Sequence, residues 1–130
     1  MVDTVSASLA IMAELLANLG FNTQRMEEAT RTGFMTATDL ADYLVLKNVP
    51  FREAHGIVGR AVAFCVDKGC ELTDLNLDDM RKFSPVIGKD VFEVLSVQGS
   101  VNSRISAGGT AMQRVEEALG LAEHNMGIKL

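Results

Sequence analysis

The stretch from Asp3 to Gly20 sets the hardest condition on any fold for this chain. As a helix it is apolar on nearly every side. At about 100° per residue, Val5, Leu9, Met12, Leu16 and Leu19 share one face, and Ile11 and Leu15 widen it. The opposite face carries Ala10, Ala13 and Ala17, with only Glu14 and Asn18 to wet it. Asp3 or Thr4 can cap the start, and Gly20 is a good stop. A helix apolar nearly all round is buried on several sides. The chain has 130 residues, enough for one domain with a core but with few elements to cover such a helix. Either it is the central helix of this domain, or it belongs to a larger bundle or an oligomer interface.

The rest of the chain is also helical in period. A short helix is expected from a cap at Asn22 or Thr23 to Gly33. The next spans Thr36 to Leu46, with Ala37, Leu40, Ala41, Leu44 and Val45 inward and Asp39 and Asp42 facing away. Asn48 can take the left-handed conformation that ends helices, and Pro50 suits the first position of the following one. That helix runs to Lys68, stopped by Gly69. Phe51, Ala54, Val58, Ala61, Val62 and Cys65 share one face of it. Gly56, Gly59 and Ala63 form a second stripe. Two glycines inside a helix cost about 1 kcal/mol each relative to alanine, so close approach by another helix is expected there. Asn76 to Asp79 reads as a capping arrangement for a short helix through Phe83, with Leu77, Met80 and Phe83 inward. Another short helix covers Lys89 to Leu95. Residues 96 to 109 read as a polar Gly/Ser-rich loop. Thr110 with Gln113 reads as a capping box for a last helix, Ala111 to Asn125. No alternating β-branched run, repeat or low-complexity segment interrupts this pattern. The expected fold class is all-α, with six to seven helices in a small domain preceded by the end of a long bundle helix.

Charge and motifs narrow the chemistry. Twelve basic against seventeen acidic residues give a net charge of −5. With no Lys/Arg cluster, nucleic acid and anionic membranes are poor partners. No signal peptide or transmembrane span is evident, and the expected setting is soluble and cytoplasmic. Cys65 and Cys70 make no disulfide framework and no full zinc set; they read as reduced thiols. There is no P-loop, no strand-linked G-x-G-x-x-G, no H-E-x-x-H and no G-x-S-x-G. His55 lies on the apolar side of its helix and is expected in the core, hydrogen-bonded to a carbonyl or carboxylate. His124 sits near a fraying terminus. Arg52 is expected to cap a carboxylate or carbonyl, or to meet a partner subunit. Asp39 and Asp42 are expected on a solvated face, not in the desolvated cleft that paired carboxylates need for acid–base work.

More specific information lies in ordered blocks. Ala37-Thr-Asp-Leu-Ala-Asp-Tyr-Leu-Val45 is followed by Val49-Pro-Phe-Arg-Glu-Ala-His55 and Ile57-Val-Gly-Arg-Ala-Val62. Later come Leu75-Asn-Leu, Phe83-Ser-Pro-Val-Ile87, Asp90-Val91, Ser100-Val-Asn-Ser-Arg104 and Gly108-Gly-Thr110. Together these blocks resemble the C-terminal region of argininosuccinate lyase. Leu19-Gly-Phe-Asn22 and Arg25-Met26 are similar to the end of that family's central helical domain. Asn48 stands where the family more often has Gly, a substitution the left-handed helix end tolerates.

The resemblance implies an enzyme of the fumarase/aspartase superfamily that cleaves argininosuccinate to arginine and fumarate by β-elimination, without metal or organic cofactor. It implies a homotetramer built on a long helical bundle. Residues 1–35 would be the end of the bundle domain and 36–130 the small C-terminal domain. The family's serine-bearing loop, G-S-S-x-M-P-x-K-x-N, is not in this sequence. No catalytic, cofactor-binding or metal-binding residue is therefore carried over. The partners implied are the remainder of the lyase chain and its neighbouring subunits, with substrate bound only by the full enzyme. The alternative is a stand-alone helical interaction or regulatory module that uses the Gly56/Gly59/Ala63 stripe.

Overall fold

Helical periodicity along the chain becomes a series of helices joined by tight turns. The computed structural model describes residues 2–128. In order these are α1 (Val2–Ala17), α2 (Thr23–Ala29), α3 (Ala37–Leu46), α4 (Phe51–Lys68), a 3₁₀ turn (Leu72–Asp74), α5 (Leu77–Phe83), α6 (Val91–Val94), α7 (Val97–Ser103) and α8 (Met112–Met126). No strand occurs among the described residues.

The core is a helical hairpin of α3 and α4, closed by the segments that follow. Leu40 and Leu44 of α3 meet Ala54, Ile57, Val58, Ala61 and Cys65 of α4. Leu72, Leu75, Met80, Ile87, Val91 and Leu95 complete it. Each large side chain buried this fully contributes about 1.5–3 kcal/mol. Both hairpin helices end in the same way. Asn48 and Gly69 are left-handed, each at φ 66°. The amide after each reaches back to the third-last turn residue, Val49 N to Leu44 O and Cys70 N to Cys65 O, both at 3.0 Å. The expected roles of Asn48 and Gly69 thus hold.

Asn76 caps α5 as its sequence implies. Its Oδ1 accepts from Asp79 N, and its Nδ2 donates to the Asp79 carboxylate. Asn22 likewise caps α2 by accepting from Arg25 N.

Several expectations are corrected. Asp39 is buried, whereas Val45 is exposed. Phe51 is 65% exposed and Ile57 takes its place inside, because the buried stripe of α4 runs 54, 57, 58, 61, 65 at helical spacing. His55 is exposed beside Phe51, not in the core. Pro50 caps α4 from just outside with φ −57° and ψ 138°. The 96–109 stretch is no simple loop: Ser96 accepts from Gly99 N and opens α7. The Thr110–Gln113 box does not form. Thr110 instead donates its hydroxyl to Val101 O, and Gln113 donates to Glu117.

The first helix is also decided. α1 buries none of its residues, and Leu9, Ile11 and Leu16 are exposed by 64%, 67% and 60%. It is not the central helix of this domain. α8 buries none of its own residues either, leaving Met112, Leu119 and Leu121 exposed.

Candidate functional site

Three polar clusters stand out against this core. The first is built on Asp39, in the first turn of α3. Its side chain is 4% exposed. Ser100 Oγ donates to Oδ2 at 2.7 Å, and Arg104 Nη2 donates to Oδ1 at 2.6 Å. Arg104 also lies 3.6 Å from the exposed Asp42 carboxylate. A buried carboxylate needs this matching, because an unpaired charge out of water is costly. Gly109 supports the arrangement from behind: a Cβ there would stand 2.0 Å from Arg104 O. Ser100 is held in this network as a hydrogen-bond donor to Asp39.

A second cluster joins α3 to the start of α6. Tyr43 Oη donates to Asp90 Oδ1 at 2.8 Å and accepts from Gly88 N at 2.9 Å. Lys47 meets the other Asp90 oxygen at 2.7 Å and lies over the Tyr43 ring. The hydrogen bonds from Lys47 and then Tyr43 hold the Asp90 carboxyl below its ordinary value. Asp90 in turn raises Lys47.

Glu71 forms the third. One carboxylate oxygen accepts from Gly33 N at 3.0 Å and the other from Phe34 N at 3.1 Å. Both donors are left-handed, with φ 84° and 54°. For Phe34 that conformation costs about 1–2 kcal/mol, which the paired hydrogen bonds offset. Glu71 also lines a cavity of about 370 Å³ with Arg31, Met35, Thr73, Asp74 and Ser96.

The structure scatters the residues singled out in the sequence. Arg52 is exposed and makes no hydrogen bond or ion pair among the described residues. His55 and Phe51 line a small apolar groove of about 180 Å³ against Ala37, Ala41 and Asp42. His124 is exposed near the end of α8. A Cβ on Gly59 would meet nothing within 4 Å, so no other helix among the described residues makes the close approach expected there. Among the described residues, no three His, Cys, Asp or Glu side chains gather as a metal site, and no helix is long and apolar enough to cross a membrane.

Sequence reasoning missed Asp39 and Glu71 as structural centres. A signal for Asp39 was available: it precedes Tyr43 by one turn, and Tyr43 is a large amphipathic residue on the flank of the apolar stripe. Glu71 had no such signal, since its partners are backbone amides 37 and 38 residues away.

These clusters fasten helices to one another, and the apolar surfaces of α1 and α8 remain uncovered. The molecule is of the class of small all-helical domains, built on a buried α3–α4 hairpin with two apolar helices left exposed. The family described as "Argininosuccinate lyase C-terminal" matches residues 34–102. Argininosuccinate lyase of Desulfotalea psychrophila is 66% identical over 127 residues, covering 98% of this chain and 27% of that protein. The enzyme of Syntrophus aciditrophicus is 51% identical over 118 residues, covering 91% and 25%. That of Nitrosomonas europaea is 52% identical over 118 residues, covering 91% and 26%. The chain belongs to the argininosuccinate lyase C-terminal family, and it spans about a quarter of the length of these relatives.

Proposed function

We propose that this chain serves as the C-terminal helical domain of an argininosuccinate lyase, the cytoplasmic enzyme of arginine biosynthesis that cleaves argininosuccinate to arginine and fumarate. The observation that carries the reading is α1, whose apolar surface has no cover among the described residues. In this reading residues 1–35 end the central bundle and 36–130 form the C-terminal domain. The remainder of the lyase chain and the neighbouring subunits of a homotetramer cover α1. They also supply the groups that remove the proton and stabilise the leaving guanidinium. This chain contributes no catalytic residue and requires no metal or organic cofactor. Its polar clusters act by holding the domain's shape against the bundle.

The test is a lyase assay on the chain alone, on a lyase portion lacking this region, and on the two mixed. Activity in the mixture alone is the expected result. Activity of the chain alone overturns the assignment of chemistry to the remainder. A mixture that forms no complex and shows no activity overturns the proposed role itself.

A second reading, a stand-alone interaction module, is favoured by one observation: Gly59 faces open space on α4. Gly59→Leu would then abolish capture of a partner without unfolding the chain.

A further inference from the structure

The end of α4 holds two thiols that the domain's packing role does not use. Cys65 is fully buried and Cys70 is half-buried against the same core. They flank the left-handed Gly69, and Cys70 N donates to Cys65 O at 3.0 Å. With standard bond lengths this contact caps the Cα–Cα separation at about 7 Å, and the bent path through carbonyl and amide shortens it into the ~4.4–6.8 Å range of disulfides. Helix ends of this geometry also bring these two side chains into contact. Burial first, and then the neighbouring Cys70, push the Cys65 thiol up to about 12.

We infer that Cys65 and Cys70 form a reversible thiol–disulfide pair, with Cys70 the site first oxidised by a peroxide and Cys65 the resolving thiol. In the first step the Cys70 sulfur attacks one peroxide oxygen. Cys70 becomes a sulfenic acid and the peroxide is reduced to water. In the second, the Cys65 sulfur loses its proton and attacks the Cys70 sulfur. The S–S bond forms and the hydroxyl leaves as a second water. A dithiol reductant reverses the result. Burial keeps Cys65 from being the thiol that meets the peroxide first. The disulfide spares Cys70 from irreversible oxidation to sulfinic acid.

The pair is tested by treating the folded chain with dilute hydrogen peroxide and mapping the products by mass spectrometry without reduction. Trypsin cuts after Arg60, Lys68 and Arg81, so residues 61–68 and 69–81 leave as separate peptides unless the disulfide joins them. The expected result is the joined pair, lost on adding dithiothreitol, with helical circular dichroism retained. Cys65→Ser should then raise sulfinic acid at Cys70 by about tenfold or more. Native chain that carries Cys70 sulfinic acid beside a free Cys65 thiol overturns the inference. So does cross-linking that occurs only between molecules and disappears on dilution.

Discussion

Asp39 and Arg104 lie 65 residues apart in sequence and meet at 2.6 Å, tying the first turn of α3 to the segment after α7. The carboxylate is buried and the guanidinium is 43% exposed. Arg104→Ala leaves Asp39 with Ser100 alone. The expected loss of stability is about 2–3 kcal/mol, below the ~3–5 kcal/mol of a fully buried pair because water already solvates part of Arg104. Denaturant unfolding of Arg104→Ala, Asp39→Asn and the double variant measures it. Additive losses in that cycle would show that the two residues are not coupled.

The Lys47–Asp90 pair predicts a plateau in stability against pH. Asp90 is depressed when folded, so its contribution is full above its ordinary value of 3.8 and is lost as pH falls through the lower folded value. Lys47 is raised, so its contribution is full below 10.5 and is lost above that. Asp90→Asn should lower the melting temperature across this plateau and flatten the part of the acid decline that this pair causes. Both groups are solvent-facing, so added salt should shrink the difference between variant and native chain. Melting curves at several pH values and two salt concentrations decide it.

Gly99 and Gly109 allow no side chain. A Cβ on Gly99 would stand 1.9 Å from Glu93 O, and one on Gly109 would stand 2.0 Å from Arg104 O. Both obstacles are backbone and cannot swing away. Gly99→Ala and Gly109→Ala should each destabilise by about 1–3 kcal/mol. Unchanged unfolding midpoints would show that α7 and the turn after it yield without cost.

Gly59 behaves in the opposite sense. It lies inside α4 with open space around it, so Gly59→Ala should stabilise the chain by about 0.5–1 kcal/mol through helix propensity. The same substitution placed in a complete lyase reports on the assembly. A gain in the chain that turns into a loss in the assembled enzyme means that another helix presses there.

Much of this architecture is legible in the sequence. Period and stop signals locate the helices other than α7, and Asn48, Gly69 and Asn76 perform the roles their residue types suggest. The blocks that resemble the lyase family are largely those that hold the domain together. Tyr43 and Asp90 bond to each other, Ser100 and Arg104 grip Asp39, and Gly109 backs Arg104. Periodicity placed Asp39 on the wrong side and gave no sign of the role of Glu71. A carboxylate is read as solvated unless its partner is known, and these partners lie 37 to 65 residues away. The Thr110–Gln113 box failed because α8 starts one residue later than expected, with Ala111 and not Thr110 at the cap position.

The grip on Asp39 also imposes an order in time. As the chain is synthesised, α3 and α4 emerge next to each other and can pair early, since hairpin contacts are local. Asp39 is made 61 residues before Ser100 and 65 before Arg104. Until then its carboxylate must stay hydrated, so the first turn of α3 is held open to water while the hairpin's other end closes. Substitutions in the hairpin, such as Ala54→Gly, should therefore slow folding, while Arg104→Ala should mainly speed unfolding. Chevron measurements on the two variants distinguish a hairpin that leads from a latch that closes last.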